Sequence, residues 1–229
     1  FLLRDLRLAG GAFGASMGAS STGPRRDDRV LADANALAIS ALVRAAAVLN
    51  EPRYLEAAAS AARFIDENLR NGARVVHCVH ADKRRCSEGF LADHALVALA
   101  FLDLDKSASP GESHWLDSAR TIGDALLVHF EHAGTGGFFF TADDGATLPL
   151  RLKHAQDSAV ASGNSAAALL FTRLAARTGD ERYAEVAHHT FEAFSEILTL
   201  RPLALPSMLS ALIEETTRPV NAAPGSSGP

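Results

Sequence analysis

Three stretches repeat one plan, and that repetition limits the folds open to this chain more than any single motif does: Glu51-Pro52-Arg53-Tyr54-Leu55-Glu56-Ala57-Ala58, Glu112-Ser113-His114-Trp115-Leu116-Asp117-Ser118-Ala119 and Asp180-Glu181-Arg182-Tyr183-Ala184-Glu185-Val186-Ala187. In each, a polar start precedes an aromatic residue and then an acidic, Ala-rich stretch, and the aromatic recurs after 61 and then 68 residues. A period of that length implies one supersecondary unit stacked on copies of itself.

Each copy follows another helical stretch, so the unit is a pair of helices. Leu31, Ala34, Ala38, Leu42, Ala45 and Leu49 recur at three- and four-residue steps, as do Tyr54, Ala58, Ala61, Ile65 and Leu69, which puts each set on one helix face. Asn50 is expected to cap the second helix with Pro52 in its first turn, and Asn71-Gly72 to end it. Further helices are expected over about 88–104, 113–130, 162–177, 180–200 and 206–214. The fold class is therefore all-α, built from helical hairpins. Ala73 to Val79 alternates as a strand does, and Gly136-Gly137-Phe138-Phe139-Phe140-Thr141 with Asp143-Asp144-Gly145 reads as a hairpin, so short β excursions join the pairs. Residues 1–26 read as an irregular Gly/Ser/Ala-rich lead-in, 27–217 as the helical domain and 218–229 as a disordered tail.

With 48% apolar residues the chain can bury a substantial core. Its 22 basic and 27 acidic residues form no long block of either sign, which argues against nucleic acid or an anionic membrane as partner. The strongest apolar run, Ala95 to Leu104, is too short to cross a bilayer, which takes roughly 20 residues. Cys78 and Cys86 cannot form a disulfide framework and read as two separate thiols in a reducing compartment, with the cytoplasm the expected location. His77, Cys78, His80 and Cys86 lie close enough to suggest zinc, but at no standard ligand spacing, so neither metal nor cofactor is expected. There is no phosphate-binding Gly loop, dinucleotide fingerprint or Ser nucleophile elbow.

Asp33, Asp93 and Asp157 are separated by 60 and 64 residues, nearly the period of the pairs, so they are expected at one end of the assembly as candidate catalytic carboxylates. Around them Asn35, His94, Arg151, Lys153, Ser162 and Asn164 are candidate substrate-binding residues, with Ser165 beside them. Helix starts offer unpaired N–H groups and a positive dipole, which favours carboxylates and ligand oxygens. Asp, Asn and Ser are also what ordinary capping uses. Paired carboxylates suit glycoside chemistry, and His94 or His154 could shuttle protons. Phe138, Phe139 and Phe140 could form an aromatic platform, although strand alternation directs at least one into packing.

Arg4-Asp5, Gly10-Gly11-Ala12-Phe13, Asp27-Asp28-Arg29-Val30-Leu31 leading to Asn35, Gly89-Phe90-Leu91 leading to Asp93, Gly136-Gly137-Phe138-Phe139, Arg151 and Lys153 before Asp157, and Ser162-Gly163-Asn164-Ser165 together resemble the C-terminal region of the YyaL-type, spermatogenesis-associated protein 20-like family. The resemblance runs from about residue 1 to 214. It implies part of an (α/α) six-hairpin toroid similar to N-acylglucosamine 2-epimerases and six-hairpin glycosidases, and hence a carbohydrate-binding or carbohydrate-processing domain with a sugar as ligand. The chain departs from the family's pattern at Ala34, where a Trp is usual, at Ala36, where a Gly is usual, and over Met17-Gly18-Ala19-Ser20-Ser21, where acids are usual. About seven helices against the twelve of six hairpins imply a truncated toroid, with the family's thioredoxin-like domain outside this chain. The alternative expectation is a non-catalytic helical repeat module that packs on the missing hairpins, on a partner or on itself.

Overall fold

The computed structural model describes residues 1–20, 23–107, 114–145 and 149–217. The expected tail (218–229) and the Ser113 helix start lie outside the described residues. Among the described residues there are eight α-helices, of which seven alternate in role: α1 (Ala32–Leu49), α3 (Leu91–Asp105), α5 (Gly163–Thr178) and α8 (Pro206–Thr216) form an inner row, while α2 (Pro52–Asn68), α4 (Trp115–His129) and α6 (Glu181–Ala193) back them from outside. The last expected helix of the third pair breaks after Ala193 and resumes as the short α7 (Ser195–Leu200). This is an open arc of (α/α) hairpins, as the periodicity implies.

Three two-stranded β pieces decorate one end: β1 (Ser16–Ser20) with β2 (Gly23–Asp27), β3 (Val30–Leu31) with β6 (Cys78–Val79), and β4 (Arg70–Asn71) with β5 (Arg74–Val75), all antiparallel. The lead-in is thus less irregular than expected, since it holds a one-turn π-helix at Leu2–Leu6 and a hairpin, and it sends Leu6 and Phe13 into the core. Asn50 does not cap α2; it takes the left-handed conformation (φ 54°) that closes α1, a role open to Asn for the same short polar side chain. Asn71-Gly72 turns the β4–β5 hairpin rather than ending α2. The Gly136-Gly137 stretch makes a single bridge, Glu131 to Phe138, instead of a full hairpin.

Small residues let the rows approach. Ala57, Ala58, Ala61 and Ala62 of α2 are completely buried, as are the large side chains of Ile39, Phe101, Phe171 and Tyr183. The repeated aromatics pack on Phe residues of the inner helices: Trp115 on Phe101 (4.8 Å between ring centres) and Tyr183 on Phe171 (5.9 Å). The 18 residues of α1, rather than the Ala95–Leu104 run, are apolar enough (mean hydropathy 1.5) to cross a bilayer by length and composition; in the structure α1 buries Ala36, Ile39, Leu42 and Val43 in the common core. At the far end of the inner row Arg173 of α5 bonds Glu214 of α8 (2.8 and 3.0 Å) and Asp103 of α3 (3.3 Å).

At the near end, three buried polar side chains clamp the loops to the inner helices. Asn35 accepts the Phe13 N–H (2.8 Å) and donates to the carbonyls of Phe13 and Leu31 (both 2.9 Å). Asn164 treats Phe138 identically, accepting its N–H (2.7 Å) and donating to its carbonyl (2.9 Å) and to that of His154 (2.8 Å). His94 accepts the Val75 N–H at Nε2 (3.0 Å) and donates from Nδ1 to the Phe90 carbonyl (2.9 Å). The two clamped Phe residues each follow a Gly pair. Gly11 and Gly136 have positive φ (93° and 69°) and a Cβ on either would strike Ser60 or the His189 backbone, so only Gly fits.

Replacing Asn164 by Ala strands a buried N–H and two carbonyls. Urea unfolding should show a loss of about 3–5 kcal/mol, against less than about 0.5 kcal/mol for Gln156→Ala on the surface.

Candidate active site

The starts of α1, α3 and α5 do gather at one end. The Ala32 N–H reaches the His77 carbonyl (2.9 Å), the Leu91 N–H reaches the Phe140 carbonyl (3.0 Å), and Gly163 lies so close to Leu91 that a Cβ there would be 2.8 Å from it. Most of the expected ligand-binding residues are nonetheless used up by the fold. Asn35, Asn164 and His94 are the three clamps, and burial holds the His94 ring neutral, with its pKa pushed down to about 4. Arg151 donates to the carbonyls of Thr141 and His129 and lies 4.2 Å over the Phe139 ring. Lys153 is bound by Thr135 Oγ1 (2.6 Å) and the Gly136 carbonyl (2.8 Å). Ser162 caps α5 through the Ser165 N–H and donates to the Ala155 carbonyl.

Asp157, expected beside the other two carboxylates in a catalytic role, is a double cap. Its Oδ1 accepts the Ser162 N–H and the Ser165 hydroxyl (both 2.8 Å), and its Oδ2 accepts the Ser207 N–H (2.7 Å) at the start of α8. The positive ends of two helices hold it there.

Asp33 and Asp93 do come together, and they come with His77, which sequence reasoning singled out only as a zinc candidate. One polar atom from each of the three lies within 4.8 Å of the others. The β3–β6 pairing sets His77 beside the first turn of α1, and the first turn of α3 supplies Asp93. Asp93 is buried; its Oδ2 accepts the Phe90 N–H (2.8 Å), and both its oxygens face His77 Nδ1 at 3.1 Å. The carboxylate so fixes the tautomer with hydrogen on Nδ1 and leaves Nε2 as the reactive nitrogen. The bond to Asp93 raises the His77 pKa above the usual histidine value. Burial, with the negative Asp93 alongside, raises the Asp33 carboxyl above the usual carboxylate range. An oriented imidazole and a carboxyl whose affinity for its proton is raised stand side by side.

A divalent cation could take the same three groups, and a second group of His129, Asp143 and Asp144 is more exposed and already engages Arg74 through Asp144. The quartet suggested for zinc is not available. Cys78 and Cys86, read as separate thiols, form a disulfide, because the antiparallel return of the chain (Cys86 N–H to Cys78 carbonyl, 2.9 Å) brings their Cα atoms to 5.3 Å. From His77 a row of rings crosses the rim: His77 to Phe90 (5.3 Å), Phe90 stacked on Phe140 (4.6 Å), and Phe140 to His154 (5.9 Å). Of the three consecutive Phe residues, only Phe138 is fully buried, stacked on Phe171.

An open arc of inner and outer helices with acid–base groups at the inner N-terminal rim defines an (α/α) hairpin-toroid domain. No protein-family model matches the chain. Spermatogenesis-associated protein 20 of Homo sapiens is 34% identical over 199 residues, 82% of this chain and 25% of that protein. The protein of the same name from Rattus norvegicus is 33% identical over 196 residues, 81% and 25%. The chain is a homologue of part of spermatogenesis-associated protein 20, and spans about a quarter of the length of the curated relatives it matches. Among solved structures it is similar to unsaturated glucuronyl hydrolase from Bacillus sp. GL1 (TM-score 0.63, 17% identity, 85% of this chain and 53% of that one) and cellobiose 2-epimerase from Spirochaeta thermophila (0.61, 22%, 79% and 47%). A D-mannose isomerase gives 0.65, 14%, 84% and 47%. At these identities the likeness establishes the fold, that of the six-hairpin glycosidases and epimerases.

The neutral His94 makes the fold acid-sensitive. Its folded pKa lies below the unfolded value, so the unfolded chain binds the extra proton and stability falls as pH drops from about 6.5 toward 4, by an amount on the order of 3 kcal/mol. Urea midpoints across that range should fall in the parent, and His94→Gln, less stable at pH 7, should show a shallower fall.

Proposed function

We propose that this domain binds and processes a carbohydrate by acid–base chemistry at Asp33, His77 and Asp93. The observation that carries the reading is the Asp93–His77 pair with Asp33 beside it, at the N-terminal rim of the inner helices in a fold shared with hydrolases and epimerases of sugars. His77 Nε2 accepts a proton from a substrate hydroxyl, water or C–H group, and the positive charge formed is stabilised by buried Asp93. Asp33, whose carboxyl pKa burial and the adjacent Asp93 raise above the usual carboxylate range, is the proton donor to the departing or enolising oxygen. Asp93 is the positioning residue. The geometry serves glycosidic hydrolysis and epimerisation alike, because both move one proton on and one off.

The interaction-module reading also has an observation behind it. A groove of about 330 Å³ runs along the inner face between α1, α3, α5 and α8, lined by Leu37, Leu96, Leu99 and Leu169, and the similar solved structures are about twice as long as this arc. Further hairpins seated on that groove would close the ring. Concentration-dependent self-association in sedimentation velocity, abolished by supplying such hairpins, would favour it.

A thermal-unfolding screen against monosaccharides, disaccharides and uronic acids tests the sugar reading. A ligand at 100 times its Kd should add about 2.7 kcal/mol. For a sugar that is turned over, Asp33→Asn and His77→Gln should each lower kcat by roughly 10²–10⁴ with unchanged circular dichroism. A full panel without a shift, or variants as active as the parent, contradicts it.

A further inference from the structure

The Cys78–Cys86 disulfide has no part in the reaction outlined above, and its two halves sit in unlike places. Cys78 is 2% exposed and lies in β6, where it pairs with Leu31, two residues before Asp33. Cys86 is exposed, as are all its neighbours from Ala81 to Glu88. The chain runs out along β6, turns between His80 and Lys83 with Lys83 in the left-handed region (φ 64°), and returns beside β6. Backbone bonds hold the return: the His80 N–H to the Arg84 carbonyl and the Cys86 N–H to the Cys78 carbonyl (both 2.9 Å), and the His77 N–H to the Ser87 carbonyl (3.1 Å). A two-stranded ribbon with an exposed outer edge is marginal in water by itself, so the S–S bond carries much of its closure.

This ribbon adjoins the acid–base cluster at both ends. His77 immediately precedes Cys78, and its backbone is held from two sides: its carbonyl takes the Ala32 N–H (2.9 Å), and its N–H goes to Ser87 on the return. Past Glu88 the chain reaches Phe90, whose ring lies 5.3 Å from His77 and whose N–H bonds Asp93. Between them Gly89 is buried so tightly that a Cβ on it would strike the Val75 carbonyl, which anchors the start of α3 independently of the ribbon. Opening the ribbon therefore frees one side of His77 and leaves the helices in place.

We infer that Cys78–Cys86 is a reversible redox switch on His77, opened by a dithiol that attacks Cys86. Exposed disulfides are the labile ones, and exchange begins at the sulfur a thiolate can reach. A thiolate of the dithiol bonds to the Cys86 sulfur, the Cys78–Cys86 bond breaks, and Cys78 leaves with the electron pair and takes up a proton. The second thiol of the dithiol then attacks the reductant's sulfur in the mixed disulfide, which closes the reductant into a cyclic disulfide and releases Cys86 as a thiol. The protein gains the two electrons and two protons that the dithiol loses. The consequence for catalysis rests on the acid–base reading proposed above; the switch itself does not.

Dithiothreitol is the probe, applied to the whole chain at pH 7 without denaturant. Reduction should leave circular dichroism unchanged and let N-ethylmaleimide label Cys86 ahead of Cys78. Amide hydrogen exchange at His77, His80 and Cys86 should quicken about tenfold or more, while the Phe138 amide, bonded by Asn164, keeps its rate. The ring nitrogen signals of His77 should move on reduction and return once oxidised glutathione restores the bridge. Cys86→Ser, at an exposed position, should show the reduced pattern with or without dithiothreitol. A bridge that opens only after urea unfolds the chain, a reduced chain that loses its fold, or one in which those amides and the His77 ring are unmoved overturns the inference. For a sugar that is turned over, reduction should lower kcat about tenfold or more. A switch seen at His77 with turnover unchanged, or with no sugar processed, upholds the switch and sinks the proposed chemistry alone.

Discussion

Everything at the functional end hangs on buried side chains that bond backbone across long stretches of sequence. Asn35, His94 and Asn164 stand near the starts of consecutive inner helices, and each satisfies a peptide group that the loops and short β pieces leave unpaired. Without them the Phe13, Val75 and Phe138 N–H groups would be buried and unpaired, each costing about as much as a lost core methylene or more. The clamps turn what would be loose connections between hairpins into a fixed rim. The Gly pairs before Phe13 and Phe138 are the other half of the device, since they let the loop backbone come within reach of the Asn.

This has a consequence for function. The same helix starts supply both the polar groups that hold the loops and those proposed for chemistry, and the two differ in how fully each group is paired. Groups with their polar atoms paired hold the loops, while His77 keeps an uncommitted nitrogen. Asp157 falls on the structural side although it shares the periodic spacing of Asp33 and Asp93, because the start of α8 lies close enough to claim its second oxygen. His77 falls on the chemical side because Asp93 takes only one of its two nitrogens. The Cys78–Cys86 bridge and the β3–β6 pairing flank His77 and fix its backbone, so its ring is aimed by Asp93 rather than by chance.

The helices were legible because their apolar spacing is local. The repeated aromatics were legible for the same reason, and Trp115 and Tyr183 prove to be the anchors of two outer helices on two inner ones. The site was only half legible. The spacing of Asp33 and Asp93 anticipates that they meet, but Asn35, Asn164, His94, Arg151 and Lys153 read as ligands for a sugar because they bond backbone groups that lie mostly 10 to 26 residues away, which no residue type announces. Asn50 was misread between two helices where Asn can serve either end. His77 sits in a short β excursion without helical period, and the only signal available was its place in an alternating stretch just before a Cys that its own chain folds back to meet.

The most direct test of this division is an NMR titration of the histidine rings with nitrogen detection. His94 should stay neutral with its proton on Nδ1 until the pH falls to about 4, and His77 should titrate above the ordinary histidine value, its Nδ1 proton shared with Asp93. A His94 that protonates near 6.5, or a His77 whose pKa falls to 6.5 or below with the proton on Nε2, would contradict the account of which polar groups hold the fold and which are left for chemistry.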